Sequence, residues 1–218
     1  MRIIGGEWRG RKIEEPRGRD VTRPTTDRVR EACASMVMSA FDFDLDEVRV
    51  LDAFGGSGAL GLEMLSRGAR SLTTFEIDRN AARLITKNIE SLCRDRARWR
   101  VVTGDMLTSA SRGRVPGGPF DLVLLDPPYA FGAKPVEEML QNLAQQGLLA
   151  PGAYALFEHA SADAGAHPAG FEPVREKRYG LTSVDLLRWV GDDDGEDDSA
   201  VTDADNNDAT TFQEDAHE

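Results

Sequence analysis

The chain has 218 residues, of which 40% are apolar and 29% charged, and its formal net charge is −12. This size and composition suit one globular domain with a hydrophobic core, and no apolar run approaches the roughly 20 residues that span a bilayer. The two cysteines, Cys33 and Cys93, exclude a disulfide framework and a cysteine metal centre. With reduced thiols and no apolar leader at the start of the sequence, the protein is expected in the cytoplasm.

The charge is distributed unevenly along the chain. Residues 191–218 contain 12 acidic residues and no Lys or Arg, so the remainder has 26 acidic residues against 26 basic ones. High charge and few large apolar side chains predict that this tail is disordered. The first 30 residues are basic, with 9 Lys or Arg against 5 Asp or Glu. We therefore divide the chain into an N-terminal segment, 1–45, a central domain, 46–190, and an acidic tail, 191–218.

In chain order, glycine-broken runs over 2–14 predict a β-hairpin, and apolar residues at helical spacing predict a helix over 27–41. Short apolar strands then alternate with helices. The predicted strands are 48–52, 71–75, 99–103, 120–125, 154–157, 172–179 and 183–190, and the predicted helices are 59–67, 79–92 and 135–146. This alternation predicts an α/β fold with a mostly parallel sheet and helices on both faces.

Four successive predicted strands end in a carboxylate, namely Asp52, Glu76, Asp105 and Asp126. Ligands of open parallel sheets bind outside the carboxyl ends of the strands, so four acids at this edge predict one polar cleft. A single acid at a strand end would more often be a helix cap or a solvated side chain. For Asp105 taken alone, a simple turn residue is an equally good interpretation.

The first of these strands leads into a G-x-G-x-x-G turn over 56–61 that opens a helix. Glycine lets the backbone approach a ligand, and the helix N-terminus favours an anionic group. Glu76 could accept both ribose hydroxyls of a nucleoside cofactor, which fits NAD and S-adenosylmethionine alike. Asp52 would be unfavourable beside a pyrophosphate but favourable near the amino group and sulfonium of S-adenosylmethionine, and Asp105 could accept from adenine. The pattern favours S-adenosylmethionine.

The fourth strand is followed by Asp126-Pro127-Pro128-Tyr129. The exocyclic amino nitrogen of a nucleobase is a poor nucleophile because its lone pair is delocalised into the ring. The Asp126 carboxylate and the Pro127 carbonyl could accept its two N–H bonds and orient the lone pair, while the prolines stiffen the turn. Tyr129 could stack on the base. The tetrapeptide therefore favours methyl transfer to an amino group.

Three other functions explain part of the pattern. A DNA adenine-N6 methyltransferase fits the tetrapeptide equally well, although no separate DNA-reading segment follows it. A nicotinamide-dependent oxidoreductase explains the glycines and leaves the tetrapeptide without a role. A non-catalytic RNA-binding protein on the same fold would not need the complete set of acceptors.

The chain resembles class I S-adenosylmethionine-dependent methyltransferases of nucleobase amino groups in Asp52-x-Phe54-x-Gly56-x-Gly58 and in residues 126–129. The stretches 2–12, 23–31, 61–69 and 178–180 make it similar to the RsmD family, the 16S ribosomal RNA guanine-N2 methyltransferases, over about residues 1–190. Gly55 stands where this family usually has alanine, a departure expected to be harmless. The acidic tail is not part of the family pattern.

This resemblance implies a Rossmann-like seven-stranded sheet whose last strand pair is antiparallel, an N-terminal hairpin that touches RNA, and a segment, 25–31, over the cofactor. It implies that Asp52, Phe54, Gly56, Gly58, Glu76, Asp105 and Thr25 bind S-adenosylmethionine, and that Asp126, Pro127, Pro128 and Tyr129 hold the target amino group. RNA contact is expected at Arg2, Trp8, Arg9, Arg11, Lys12 and Arg23. The expected partner is 16S ribosomal RNA or an assembling small ribosomal subunit, with no metal, no membrane and a monomeric enzyme.

Overall fold

The computed structural model describes residues 1–16 and 27–191. The predictions for Arg23, for Thr25 and for the tail beyond residue 191 lie outside the described residues. None of the described helices is long and apolar enough to cross a membrane.

The described part of the chain is organised around a seven-stranded sheet in the order β3-β2-β1-β4-β5-β7-β6. Its strands are β1 (Arg49–Asp52), β2 (Ser71–Glu76), β3 (Trp99–Thr103), β4 (Phe120–Leu125), β5 (Leu149–Ala160), β6 (Phe171–Tyr179) and β7 (Thr182–Trp189). Strands β1 to β5 are parallel, and β7 is antiparallel to both of its neighbours. The expected antiparallel end of the sheet is confirmed, but β7 alone is reversed, because β6 runs in the direction of β1 to β5.

Five helices cover the two faces of the sheet. They are α1 (Asp27–Ala40), α2 (Ala59–Ser66), α3 (Arg79–Leu92), α4 (Met106–Ser111) and α5 (Lys134–Gln145). Side chains alternate along β4, so that Leu122 and Leu124 pack in one core cluster with α1 to α3, and Val123 and Leu125 in a second with α4 and α5. This two-sided burial explains why the strand reads as a continuous apolar run.

Two elements differ from their predictions. Helix α4 was not predicted, because six residues are too few to show a helical period. Strand β5 begins at Leu149 rather than at Tyr154, because Pro151 and Gly152 lie in its first part and conceal its strand character. Its pairing with β4 shifts register between Phe120 and Leu122.

Residues 1–16 form the predicted antiparallel hairpin, which packs onto the domain. Arg2 and Lys12 form its bridge, and the N–H groups of Ile3 and Ile13 donate to the carbonyls of Arg11 and Met1 at 2.9 and 3.1 Å. Ile4 and Gly5 donate backbone N–H groups to the buried carboxylate of Glu63 on α2, at 2.5 and 3.2 Å. This segment is therefore attached to the helix that starts at the predicted glycine turn.

Trp8 does not lie on the surface. Its side chain is 5% exposed and belongs to the same core cluster as α1 to α3, and its backbone N–H donates to Ser66 Oγ at 2.9 Å. The predicted RNA contact by Trp8 is therefore wrong. A two-stranded hairpin is too small to bury its own apolar side chains, so its largest one packs against the neighbouring domain.

Candidate active site

The carboxyl ends of the central strands surround a cavity of about 480 Å³, a size typical of small-molecule sites. The four predicted acids all line it, and so do Phe54 and Gly56. Its apolar wall includes Ile77, Met106 and Phe131. The cleft inferred from the strand ends is therefore present in the structure.

Asp52 is the most deeply placed of these acids. Its side chain is 4% exposed, and it accepts hydrogen bonds from the backbone N–H groups of Phe54 and Gly61. Burial raises the pKa of Asp52 to about 7, and the nearby charges of Asp126 and Glu76 add to this effect. An acid with a pKa near 7 is only partly ionised at neutral pH, and a cationic group beside it would stabilise its ionised form.

The third glycine of the turn, Gly61, is required by its close packing against Asp52 rather than by contact with a ligand. A Cβ atom on Gly61 would lie 2.9 Å from Asp52 Oδ2 and 2.9 Å from a methyl group of Leu72. Gly58 does not line the cavity. It precedes α2 with φ +76°, and a Cβ atom there would lie 3.0 Å from Ile85. Gly61 and Gly58 thus let α2 pack closely against β2 and α3.

Glu76 is fixed by two backbone donors. Its Oε2 accepts from the Gly56 N–H at 2.8 Å, and its Oε1 accepts from the Asp78 N–H at 2.8 Å. The side chain is 5% exposed and lines the cavity. Because each carboxylate oxygen has more than one lone pair, this arrangement orients Glu76 and leaves it able to accept from ribose hydroxyls.

Asp105 has the capping role that was the alternative interpretation. It precedes α4, and its carboxylate accepts from the Leu107 N–H at 3.0 Å and from the Thr108 hydroxyl at 2.8 Å. The same side chain is exposed and lines the cavity. A role toward adenine stays a prediction.

The segment after β4 forms part of the cavity wall next to the glycine turn. Asp126 is exposed, Pro127 is buried, and a short 3₁₀ turn follows over Tyr129–Phe131. The rings of Phe131 and Phe54 meet edge to face with centroids 5.4 Å apart. This contact joins the turn after β1 to the segment that holds Asp126, so the two predicted halves of the site are in direct contact.

Several cavity residues were missed by the sequence reasoning, among them Glu158 and Phe131. Glu158, two residues before the end of β5, is 4% exposed and lines the cavity. Its charge and that of Asp126 add to burial in raising the pKa of the Cys33 thiol, which places α1 close to both acids. Glu158 has the strand-end signal that identified the other acids. Phe131 has no comparable sequence signal.

Arg30 was also missed, and it is a buried cation beside the acidic cavity. Its guanidinium is 2% exposed and donates to Asp27 at 2.6 Å and to the Arg2 carbonyl at 3.1 Å. Among the described residues, its Nε has no hydrogen-bond partner, and the residue lines the cavity. Arg30 therefore links residue 2 to the site and partly offsets the negative charge there.

The predicted RNA-binding residues other than Trp8 lie on the surface where they are described. Arg2, Arg9, Arg11 and Lys12 are all exposed. Arg2 pairs with Asp27 at 3.4 Å, and Arg11 donates to the Ser91 carbonyl at 3.2 Å. Met1 lines the cavity, so the Arg2 end of this basic surface is near the site, whereas Arg11 lies at the last turn of α3.

The order of the strands favours S-adenosylmethionine over NAD as the cofactor. The usual dinucleotide-binding order is 3-2-1-4-5-6, whereas here the antiparallel β7 lies between β5 and β6. The buried Asp52, the anchored Glu76 and the mixed polar and apolar lining fit a cationic nucleoside such as S-adenosylmethionine. Fold and site together define a class I S-adenosylmethionine-dependent methyltransferase.

Comparisons with known proteins agree with this class. The model of the family described as Conserved hypothetical protein 95 matches residues 1–188, so the chain belongs to that family, and the resemblance to the RsmD family is confirmed. A curated relative, ribosomal RNA small subunit methyltransferase D of Escherichia coli strain K12, is 36% identical over 190 residues, which are 86% of this chain and 89% of the relative. The protein of that name in Haemophilus influenzae is 32% identical over 188 residues, 86% of this chain and 93% of its own. The solved structure of yhhF from Escherichia coli has a TM-score of 0.71 and 35% identity, and the match covers 88% of this chain and 98% of that one.

Proposed function

We propose that this enzyme transfers a methyl group from S-adenosylmethionine to N2 of a guanine in 16S ribosomal RNA, presented as free RNA or as an assembling small subunit. The observation on which this depends is the position of Asp126 and Pro127 on the same cavity as Asp52 and Glu76. The names of the relatives support ribosomal RNA of the small subunit as the substrate class. They lend no support to the DNA adenine alternative.

Bound S-adenosylmethionine would supply a methyl group made electrophilic by the positive sulfonium. On the protein side, Asp52 and Glu76 would hold the cationic and ribose parts, and Gly56 would keep Glu76 oriented through its N–H. Asp126 and the Pro127 carbonyl would accept the two N–H bonds of the guanine amino group. They would thereby orient its lone pair and stabilise the positive charge that develops on nitrogen.

The RNA would be held by phosphate contacts. The exposed Arg2, Arg9, Arg11 and Lys12 have the charge needed for such contacts, and the Arg2 carbonyl accepts from Arg30, which lines the cavity. Ribosomal RNA as substrate implies that the enzyme works in the cytoplasm. We further propose that it acts as a monomer, which light scattering of the purified chain tests.

The proposal is tested by methyl transfer from labelled S-adenosylmethionine. The substrates are small ribosomal subunits from a bacterial strain that lacks this modification, large subunits, and duplex DNA. Label in 16S RNA alone is the expected result. Label in DNA, or no label in any substrate while S-adenosylmethionine still binds, would overturn it.

A further inference from the structure

The β6–β7 hairpin projects beyond the edge of the sheet at which the site lies. Strand β4 ends at Leu125, which pairs with Phe157, but β5 continues to Ala160, which pairs with Thr182 of β7. At ~3.3 Å per residue, these three further residues raise the hairpin by about 10 Å above the end of β4. The turn between β6 and β7 therefore stands beside the cavity, on the side away from α2 and α3.

The tip of this hairpin is held in place and presents an apolar side chain. The Ser161 N–H donates to the Leu181 carbonyl at 2.9 Å, and the Ser161 hydroxyl donates to the Gly180 carbonyl at 3.0 Å. The Leu181 side chain is 69% exposed. A fixed, exposed apolar residue at this edge can contact a partner with little loss of backbone freedom.

Strand β6 adds positive charge on the face that leads to the cavity. Lys177 pairs in register with Val184, which pairs with Glu158, a cavity residue. Residues directly opposite on neighbouring strands project from the same face, so Lys177 lies on the face of Glu158. Arg175, opposite Leu186, lies on that face as well. We call Arg175 and Lys177 the basic row.

The basic row is not neutralised within β6. Both residues are exposed, and none of the ion pairs between described residues includes either of them. Glu176 projects from the opposite face, since it is opposite Asp185. Glu172 lies at the far end of the strand, opposite Arg188. The charge that β6 contributes on this face is therefore positive.

We infer that the basic row and Leu181 form a second RNA contact, which binds the substrate on the side of the cavity away from residues 1–16. The basic row contacts phosphates, and Leu181 contacts a base or ribose next to the target nucleotide. This inference rests on the proposed RNA substrate. Charged residues on an edge strand also discourage pairing with other chains, and the test separates this role from RNA binding.

The test compares the full-length wild type with Arg175→Gln/Lys177→Gln, with Leu181→Ser, and with Arg188→Gln as control. Arg188 lies on the same hairpin and is exposed, but it pairs with Tyr154 at the opposite end of the strands. Binding to unmodified small subunits is measured at several salt concentrations. The affinity for S-adenosylmethionine checks that each variant is folded. The elution volume in size-exclusion chromatography checks that it has not aggregated.

The double variant should bind subunits about tenfold more weakly, and its slope of log affinity against log salt should fall by about two units, one for each lost phosphate contact. Leu181→Ser should bind more weakly with an unchanged salt slope, and Arg188→Gln should bind like the wild type. Wild-type affinity and slope in both test variants would refute the second contact while leaving the proposed function intact. A wild type that neither binds nor methylates small subunits would refute both.

Discussion

The carboxylates of Asp52 and Asp126 face the same cavity, and the charge of Asp126 adds to burial in raising the pKa of Asp52 to about 7. Asp52 is the last residue of β1, and Asp126 directly follows β4, the strand paired with β1. The acid that we assign to the cofactor and the acid that we assign to the target amino group are therefore electrostatically coupled.

This coupling predicts a pH dependence of stability. Because the pKa of Asp52 rises from 3.8 to about 7 on folding, the folded state binds the proton more tightly between these values. The free energy of unfolding without ligand should therefore fall as pH rises through this range and then level off, with a contribution of up to about 4 kcal/mol. Asp52→Asn, which cannot ionise, should be more stable than the wild type at both pH 5 and pH 8, and its advantage should be larger at pH 8. Urea unfolding at both pH values measures this, and an equal difference at the two would contradict it.

Asp126→Asn should abolish most turnover while cofactor binding persists. The amide replaces one acceptor with a donor at the target nitrogen, so we expect a loss in kcat of about 10²–10³, as for other single groups that stabilise transition-state charge. It also removes a negative charge near Asp52, so the pKa of Asp52 should move down. Single-turnover methylation and calorimetric titration of S-adenosylmethionine measure the two effects. The matched control is Glu172→Gln, on β6 far from the site. Retained turnover in Asp126→Asn would remove this residue from the mechanism.

Gly55→Ala should destabilise this protein, so the exchange of glycine and alanine at this position is not as harmless as the sequence alone suggested. A Cβ atom on Gly55 would lie 2.5 Å from Thr74 Cγ2, 2.9 Å from Ile85 and 3.0 Å from the Phe75 carbonyl. Overpacking of this kind costs about 1–3 kcal/mol. Thr74→Ser removes the closest methyl group, so the double variant should recover part of the loss. Denaturation of the four proteins in this cycle measures the coupling, and additive effects would show that Thr74 is not the obstacle.

Trp8→Leu should lower the free energy of unfolding without weakening RNA binding. The indole is buried against α1 to α3, and replacing it with a smaller apolar group leaves part of that space empty. Binding to small subunits, measured below the melting temperature, should keep the wild-type affinity and salt slope. A loss of RNA affinity in a variant of normal stability would restore Trp8 as an RNA contact.

Local sequence patterns were sufficient to predict most of the helices and strands. Helix α3 and strands β3 and β4 have their predicted bounds, because Asp78 caps α3 and the prolines after Asp126 end the pairing of β4. The four acids were found because parallel strands place their carboxyl ends at one edge.

The missed features depend on contacts between distant parts of the chain. Arg30 is part of the site only because α1 and residues 1–2 meet at the cavity, and Phe131 only because it meets Phe54. Trp8 was predicted to contact RNA because it lies in a basic segment, and only its packing on the domain shows that it is buried. No local period or spacing in the sequence reports such contacts.

The identity of the methylated nucleoside tests the central claim most directly. Small subunits lacking the modification would be incubated with the enzyme and S-adenosylmethionine, and the RNA digested and analysed by mass spectrometry against N2-methylguanosine and N6-methyladenosine standards. We predict N2-methylguanosine in the wild-type reaction and its absence with Asp126→Asn. N6-methyladenosine, or a product that Asp126→Asn forms as well as the wild type, would contradict the assignment of Asp126 and Pro127 to a guanine amino group.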